Sequence, residues 1–124
     1  MASSELDDFL RSTFRSIWSL ELLLFLRSHR DRAWNPAALV DALRGSDLLV
    51  TQSLATLLAA GLIDVDRDGS ALYRPATRQL EDRVEQAAAE YARSPDAVRR
   101  AIVAGAAGVE LAAFADAFRW RKDR

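Results

Sequence analysis

The chain has 124 residues, half of them hydrophobic and 28% charged, with 17 Lys plus Arg against 18 Asp plus Glu for a net charge of -1. This length suits one domain over residues 1–124, and the composition excludes extended disorder and any chain-wide attraction to polyanions or anionic lipid. The absence of Cys excludes disulfides, thiolate metal sites and a cysteine nucleophile, and fits a reducing cytoplasm.

The start, MASSELDDF, lacks the basic-then-apolar pattern of a secretory signal. Leu6, Phe9, Leu10, Phe14 and Ile17 recur at three- and four-residue spacing, and Glu5, Asp7 and Asp8 sit where a helix dipole favours acids. That pattern predicts an amphipathic opening helix. From Leu20 to Leu26 the sequence is apolar nearly all round, as in a helix at the centre of a small domain, and the helical stretch should end near Ser28 to Arg32. Its apolar run, Leu22 to Leu26, is far short of the roughly 20 residues of a membrane span, so a cytoplasmic protein that does not enter membranes is expected.

Asn35-Pro36 is a helix start, with Asn accepting from the first free amides and Pro tolerated at the first helical position. The helix from Pro36 to Arg44 buries Leu39, Val40 and Leu43; Gly45 should take the left-handed conformation that ends it, and Ser46 or Asp47 caps the next. That next helix, Asp47 to Ala60, turns Val50, Leu54, Leu57 and Leu58 inward and stops at Gly61. Leu62, Ile63 and Val65 then read as a strand, Asp66 to Ser70 as a turn, and Ala71 to Tyr73 as a returning strand closed by Pro75. A helix over Thr77 to Ala92 carries a stripe of Leu80, Val84, Ala87, Ala88 and Tyr91. Ser94-Pro95 opens another with Val98, Ala101 and Ile102; Gly105 and Gly108 bracket a break; Leu111, Phe114, Ala115 and Phe118 define a last helix ending in RWRKDR.

Residues 64 to 69, DVDRDG, match the opening of a calcium-binding EF-hand loop, with oxygens at alternate positions and a turning Gly. The loop's twelfth position, which needs a bidentate Glu, holds Pro75, and the flanks read as strands where an EF-hand has helices. Asp68-Gly69 is instead a preferred tight-turn dipeptide of a hairpin. Cofactors and metals are therefore not expected. His29 stands in the SHRDR loop without a Ser or Cys pattern around it, and no phosphate-binding Gly motif is present, so no catalytic residue is assigned and no enzyme is expected.

Three helices followed by a two-stranded wing resemble the winged helix-turn-helix fold of MarR-, PadR- and ArsR-like bacterial regulators. The resemblance covers Ser19 to Ala76 and is most specific in LATLLAAGLIDVDRDGSALYRP, while FADAFRWRKDR looks like the ending of small winged-helix proteins of alphaproteobacteria. It implies a mainly α fold with a small β-hairpin wing, a winged helix-turn-helix core over 19–76, and a helical extension over 77–124 that dimerises. In such a fold the helix after the turn enters the major groove and the wing reaches the backbone or minor groove.

With Leu54 at the centre of the buried face, a 100° step per residue turns Leu48, Leu49, Gln52, Ser53, Thr56 and Ala59 outward. Gln52 suits adenine, Ser53 and Thr56 suit a phosphate or base edge, and Leu48 suits a thymine methyl. Arg44 before the turn, Arg67 at the wing tip and Arg74 add candidate phosphate contacts, against which Asp41, Asp47, Asp64, Asp66 and Asp68 leave the stretch from Pro36 to Ala76 at 3 minus 5, or -2. Leu111, Phe114 and Phe118 are the candidate dimer interface.

These features support two functions. One is a transcriptional regulator that binds DNA as a homodimer. The other is a winged-helix module that does not bind DNA and offers its acidic wing and Leu48, Leu49 to a protein partner; an exposed apolar patch on that face would favour it.

Overall fold

The computed structural model describes residues 4–105 and divides the opening helical stretch in two, α1 (Ser4–Thr13) and α2 (Ile17–Ser28). Ser16 is the cause. Its hydroxyl accepts the Ser19 amide at 3.2 Å while the Ser19 hydroxyl accepts the Ser16 amide at 3.4 Å, and this reciprocal box starts a helix anew. Phe14, expected in the first helical stripe, is buried in the link instead.

α3 (Pro36–Leu43) begins as expected, with the Asn35 side chain accepting the Ala38 amide at 2.8 Å. Its end departs from expectation. Arg44, at φ 54° and ψ 42°, takes the left-handed conformation expected of Gly45, which itself has no positive φ. Gly45 is needed for space: a Cβ there would stand 2.6 Å from the Trp18 ring. Of the three apolar residues expected inside, only Leu39 is fully buried, with Val40 and Leu43 half-buried. Ser46 then caps α4 (Asp47–Ala59) by accepting the Leu49 amide at 3.1 Å, and Gly61, at φ 77°, follows its end.

β1 (Ile63–Val65) and β2 (Ala71–Tyr73) form a two-stranded antiparallel sheet with Ile63 opposite Tyr73 and Val65 opposite Ala71. Ala71 also exchanges both backbone hydrogen bonds with Trp34 at 2.8 Å, so the segment before α3 pairs with the far edge of the hairpin. The turn differs from the expected two-residue Asp-Gly type, because Asp68 has no positive φ. Asp66 instead pairs across to Ser70 and accepts the Gly69 amide, enclosing a three-residue loop in which Gly69, at φ 84°, supplies the left-handed residue.

α5 (Arg78–Arg93) starts at Thr77, whose hydroxyl accepts the Leu80 amide, and helical residues 95–105 come next as α6. Gly105 is the last residue of this run, and the break expected between Gly105 and Gly108 lies outside the described residues. The structure is thus mainly helical with one small hairpin. Leu20, Leu22, Leu23 and Leu26 of α2 sit at the centre of one buried cluster, joined by Leu6 and Leu10 of α1, Leu39, Val50 and Leu57, Ile63, Val84 and Ile102. Arg27 donates to Glu85 at 2.7 Å and Arg83 to Glu5 at 2.6 Å, tying α5 to α2 and α1. Among the described residues no helix is long and apolar enough to cross a membrane. The last expected helix, with Leu111, Phe114, Phe118 and the RWRKDR ending, lies outside the described residues.

Candidate functional site

The site is built on α4 because its two caps and its packing against α2, α3 and β1 leave one side to solvent. Val50, Ser53, Leu54 and Leu57 are buried. At 100° per residue their mean direction lies roughly 50° from Leu54, the residue taken from sequence as the centre of the face. Two corrections result. Ser53, a candidate DNA contact, is only 5% exposed and faces inward, whereas Leu58, expected inside, is 46% exposed.

The outward face therefore consists of Leu48, Thr51, Gln52, Ala55, Leu58 and Ala59, all exposed and none charged. Leu48 stands out at 66% exposure. Leu49 and Thr56 are half-buried on the flank, and the Thr56 hydroxyl donates to the Gln52 carbonyl at 3.1 Å, so it already serves its own helix. Of the expected contacts on α4, Leu48 and Gln52 remain fully presented.

Among the basic candidates, Arg44 and Arg67 are exposed and have no ion-pair partner among the described residues. Arg74 faces Asp64 at 3.4 Å across the hairpin, both ends solvated, an arrangement that holds the guanidinium only weakly. The wing tip is shaped by its own acid: the Asp66 carboxylate accepts the amides of Asp68 at 2.9 Å and Ser70 at 3.0 Å. Those bonds explain Asp66, the middle Asp of DVDRDG, as turn chemistry. Among the described residues no group of three or more His, Asp or Glu side chains is gathered to hold a metal ion.

Sequence reasoning missed two features. Trp34, half-buried against the core, belongs to an aromatic stack at the root of the hairpin: His29 lies on Phe25 with centroids 4.3 Å apart, Trp34 meets both edge-on, and the Arg32 guanidinium sits 3.8 Å over Trp34. His29 is exposed, and its Nδ1–H donates to the Phe25 carbonyl at 2.9 Å, which makes it a cap of α2. Aromatic spacing i, i+4 on α2 was the available signal. The second feature is an open cavity of about 400 Å³ where α1 ends beside the end of α4, lined by Ser12, Thr13, Arg15, Thr56, Ala59 and Ala60. No pattern in the sequence marks it, since its walls come from segments far apart in the chain.

No protein-family model, curated protein or solved structure matches this chain. Its function therefore rests on the geometry of α3, α4 and the hairpin.

Proposed function

We propose that the chain is a winged-helix transcriptional regulator that binds DNA as a cytoplasmic homodimer through the α3–α4 turn, the outer face of α4 and the hairpin tip. The observation that carries this reading is the order helix, helix, turn, helix, hairpin, with Trp34 paired to the hairpin's outer edge and Arg44, Gln52 and Arg67 exposed at successive parts of it. Gln52 supplies the paired donor and acceptor that suit an adenine edge, and the two arginines supply phosphate contacts. Val103 of α6, 62% exposed, offers apolar contact to a second copy.

Few phosphates can be neutralised by such a surface, so affinity should depend on salt only weakly. With two arginine contacts per copy the slope of log affinity against log salt is about -2 per copy, or about -4 for a dimer. Fluorescence anisotropy with DNA from upstream of its own coding sequence and with scrambled DNA, at two salt concentrations, tests this. Sequence-dependent binding with that shallow slope supports the reading, and no binding at low salt overturns it.

A second reading, a module that docks on a protein, is favoured by the exposure of Leu48 and Leu58 on one uncharged helix face. Retention of DNA binding by Leu48→Gln together with Leu58→Gln would count against it.

A further inference from the structure

We propose that the open cavity between the ends of α1 and α4 binds a free α-amino acid with an apolar side chain, held as its zwitterion.

The cavity has the size for such a ligand. Its volume of about 400 Å³ lies in the range of small-molecule sites, and its walls are Ser12, Thr13, Arg15, Thr56, Ala59 and Ala60. The α1 wall is held from behind by α6, whose last residue, Gly105, lies so near that a Cβ on it would stand 2.5 Å from the Arg11 carbonyl oxygen.

One side of the cavity is rich in acceptors. α1 closes at Thr13 and α4 at Ala59, and the last carbonyls of a helix point past its end without a partner inside it. The carbonyls of Ser12, Thr13 and Ala59 accept no backbone amide among the described residues. Each helix end carries about half a negative charge, so the two together attract a cation. The hydroxyls act in the same sense. Ser12 donates to the Asp8 carbonyl at 2.7 Å and Thr56 to the Gln52 carbonyl at 3.1 Å, so both O–H groups are engaged and their lone pairs are left for a donor.

Arg15 supplies the opposite chemistry. Its side chain is exposed and has no ion pair or side-chain hydrogen bond among the described residues. A guanidinium has donors only, in a fork that takes a carboxylate through two parallel bonds.

The charges of the two sides sum to about zero, one full positive charge against two halves of the opposite sign. A plain anion would lose at the helix ends what it gains at Arg15, and a plain cation would meet Arg15 as a like charge. A molecule with ammonium and carboxylate on one carbon avoids both costs, its carboxylate on Arg15 and its ammonium toward the helix-end oxygens. Ala59, Ala60 and the methyl groups of Thr13 and Thr56 give its side chain an apolar wall.

Three probes separate these contributions: L-leucine, isocaproate, which is leucine without its ammonium, and isoamylamine, which is leucine without its carboxylate. In nitrogen–proton correlation spectra of the full chain, leucine at up to about 10 mM should shift the amides of residues 12–16 and 56–61 saturably, and each analogue should bind about ten-fold more weakly. Arg15→Gln should weaken leucine about ten-fold and leave isoamylamine no weaker, a split that a loss of folding would not give. Ala59→Leu, at an exposed position of α4, should fill the cavity and abolish the leucine shifts while the rest of the spectrum is unchanged. No saturable shift with leucine would overturn the proposal, and so would shifts spread over the whole spectrum. Equal affinity for isocaproate would overturn it as well, since that assigns the cavity to simple carboxylates. None of these titrations involves DNA, so their outcome is independent of whether the regulator reading holds.

Discussion

Gly45 lies against the indole of Trp18: a Cβ on Gly45 would stand 2.6 Å from Cζ2 of the ring and 3.2 Å from Cη2. This contact sets how closely the turn between α3 and α4 approaches α2, and it requires space rather than an unusual backbone, because Gly45 has no positive φ. Gly45→Ala should destabilise the fold by about 1–3 kcal/mol through overpacking. Urea denaturation measures this, and an unchanged midpoint would show that the ring moves aside freely.

Arg44 behaves in the opposite way. Its left-handed conformation costs a residue with a Cβ roughly 1–2 kcal/mol, while Gly gives part of that back through its freer unfolded state. Arg44→Gly should therefore raise stability by less than about 1 kcal/mol. The same change should weaken DNA binding and make the salt slope shallower by about 1 per copy, because a phosphate contact is lost. A loss of stability would contradict the first statement, and unchanged affinity with an unchanged salt slope would contradict the second.

At the hairpin tip, Asp66→Ala removes the acceptor of two amides and should cost about 1 kcal/mol. Calcium at millimolar concentration should leave the thermal midpoint of the parent protein unchanged, since the Asp66 oxygen is already used by the turn. A calcium-dependent rise in Tm would return the loop to ion binding.

Tyr73 gives a dependence on alkaline pH. It is 6% exposed, its hydroxyl is buried with no hydrogen-bond partner among the described residues, and burial raises its pKa above the ordinary value near 10, opposed by the Arg30 guanidinium 5.1 Å from the ring centroid. A raised pKa means that the neutral phenol is preferred in the folded state. Its contribution is complete below about pH 10 and is lost as pH climbs from there to the folded value. Tyr73→Phe should leave neutral-pH stability unchanged or slightly higher and should flatten the fall above pH 10. Tyr91, also raised by partial burial and by its bond to Glu21, titrates in both proteins, so the difference between their urea midpoints isolates Tyr73.

Local chemistry was legible along most of the chain. Asn35, Ser46 and Thr77 cap the helices that their sequence context announces, Gly61 follows the end of α4, and the hairpin strands fall where Ile63 and Ala71 to Tyr73 place them. Each of these depends on hydrogen bonds between residues a few positions apart, so the sequence contains both partners. Even there the competition between neighbours was hidden. Ser16 broke a stripe that reads as continuous, and Arg44 took the conformation that its glycine neighbour was expected to adopt.

The candidate site was legible in its location and not in its surface. That α4 follows a tight turn and precedes a hairpin could be read from caps and periodicity. Which of its side chains meet water depended on α2, α3 and β1, whose combined packing turned the helix so that Ser53 went in and Leu58 came out. By itself the sequence determined the order of the elements and most of their starts, because these arise from contacts within one or two turns of chain. Tertiary structure alone decided the uncharged face of α4, the pairing of Trp34 with Ala71 and the approach of Gly105 to α1. In each of these, the atoms that set the geometry are brought together only when distant segments share one core.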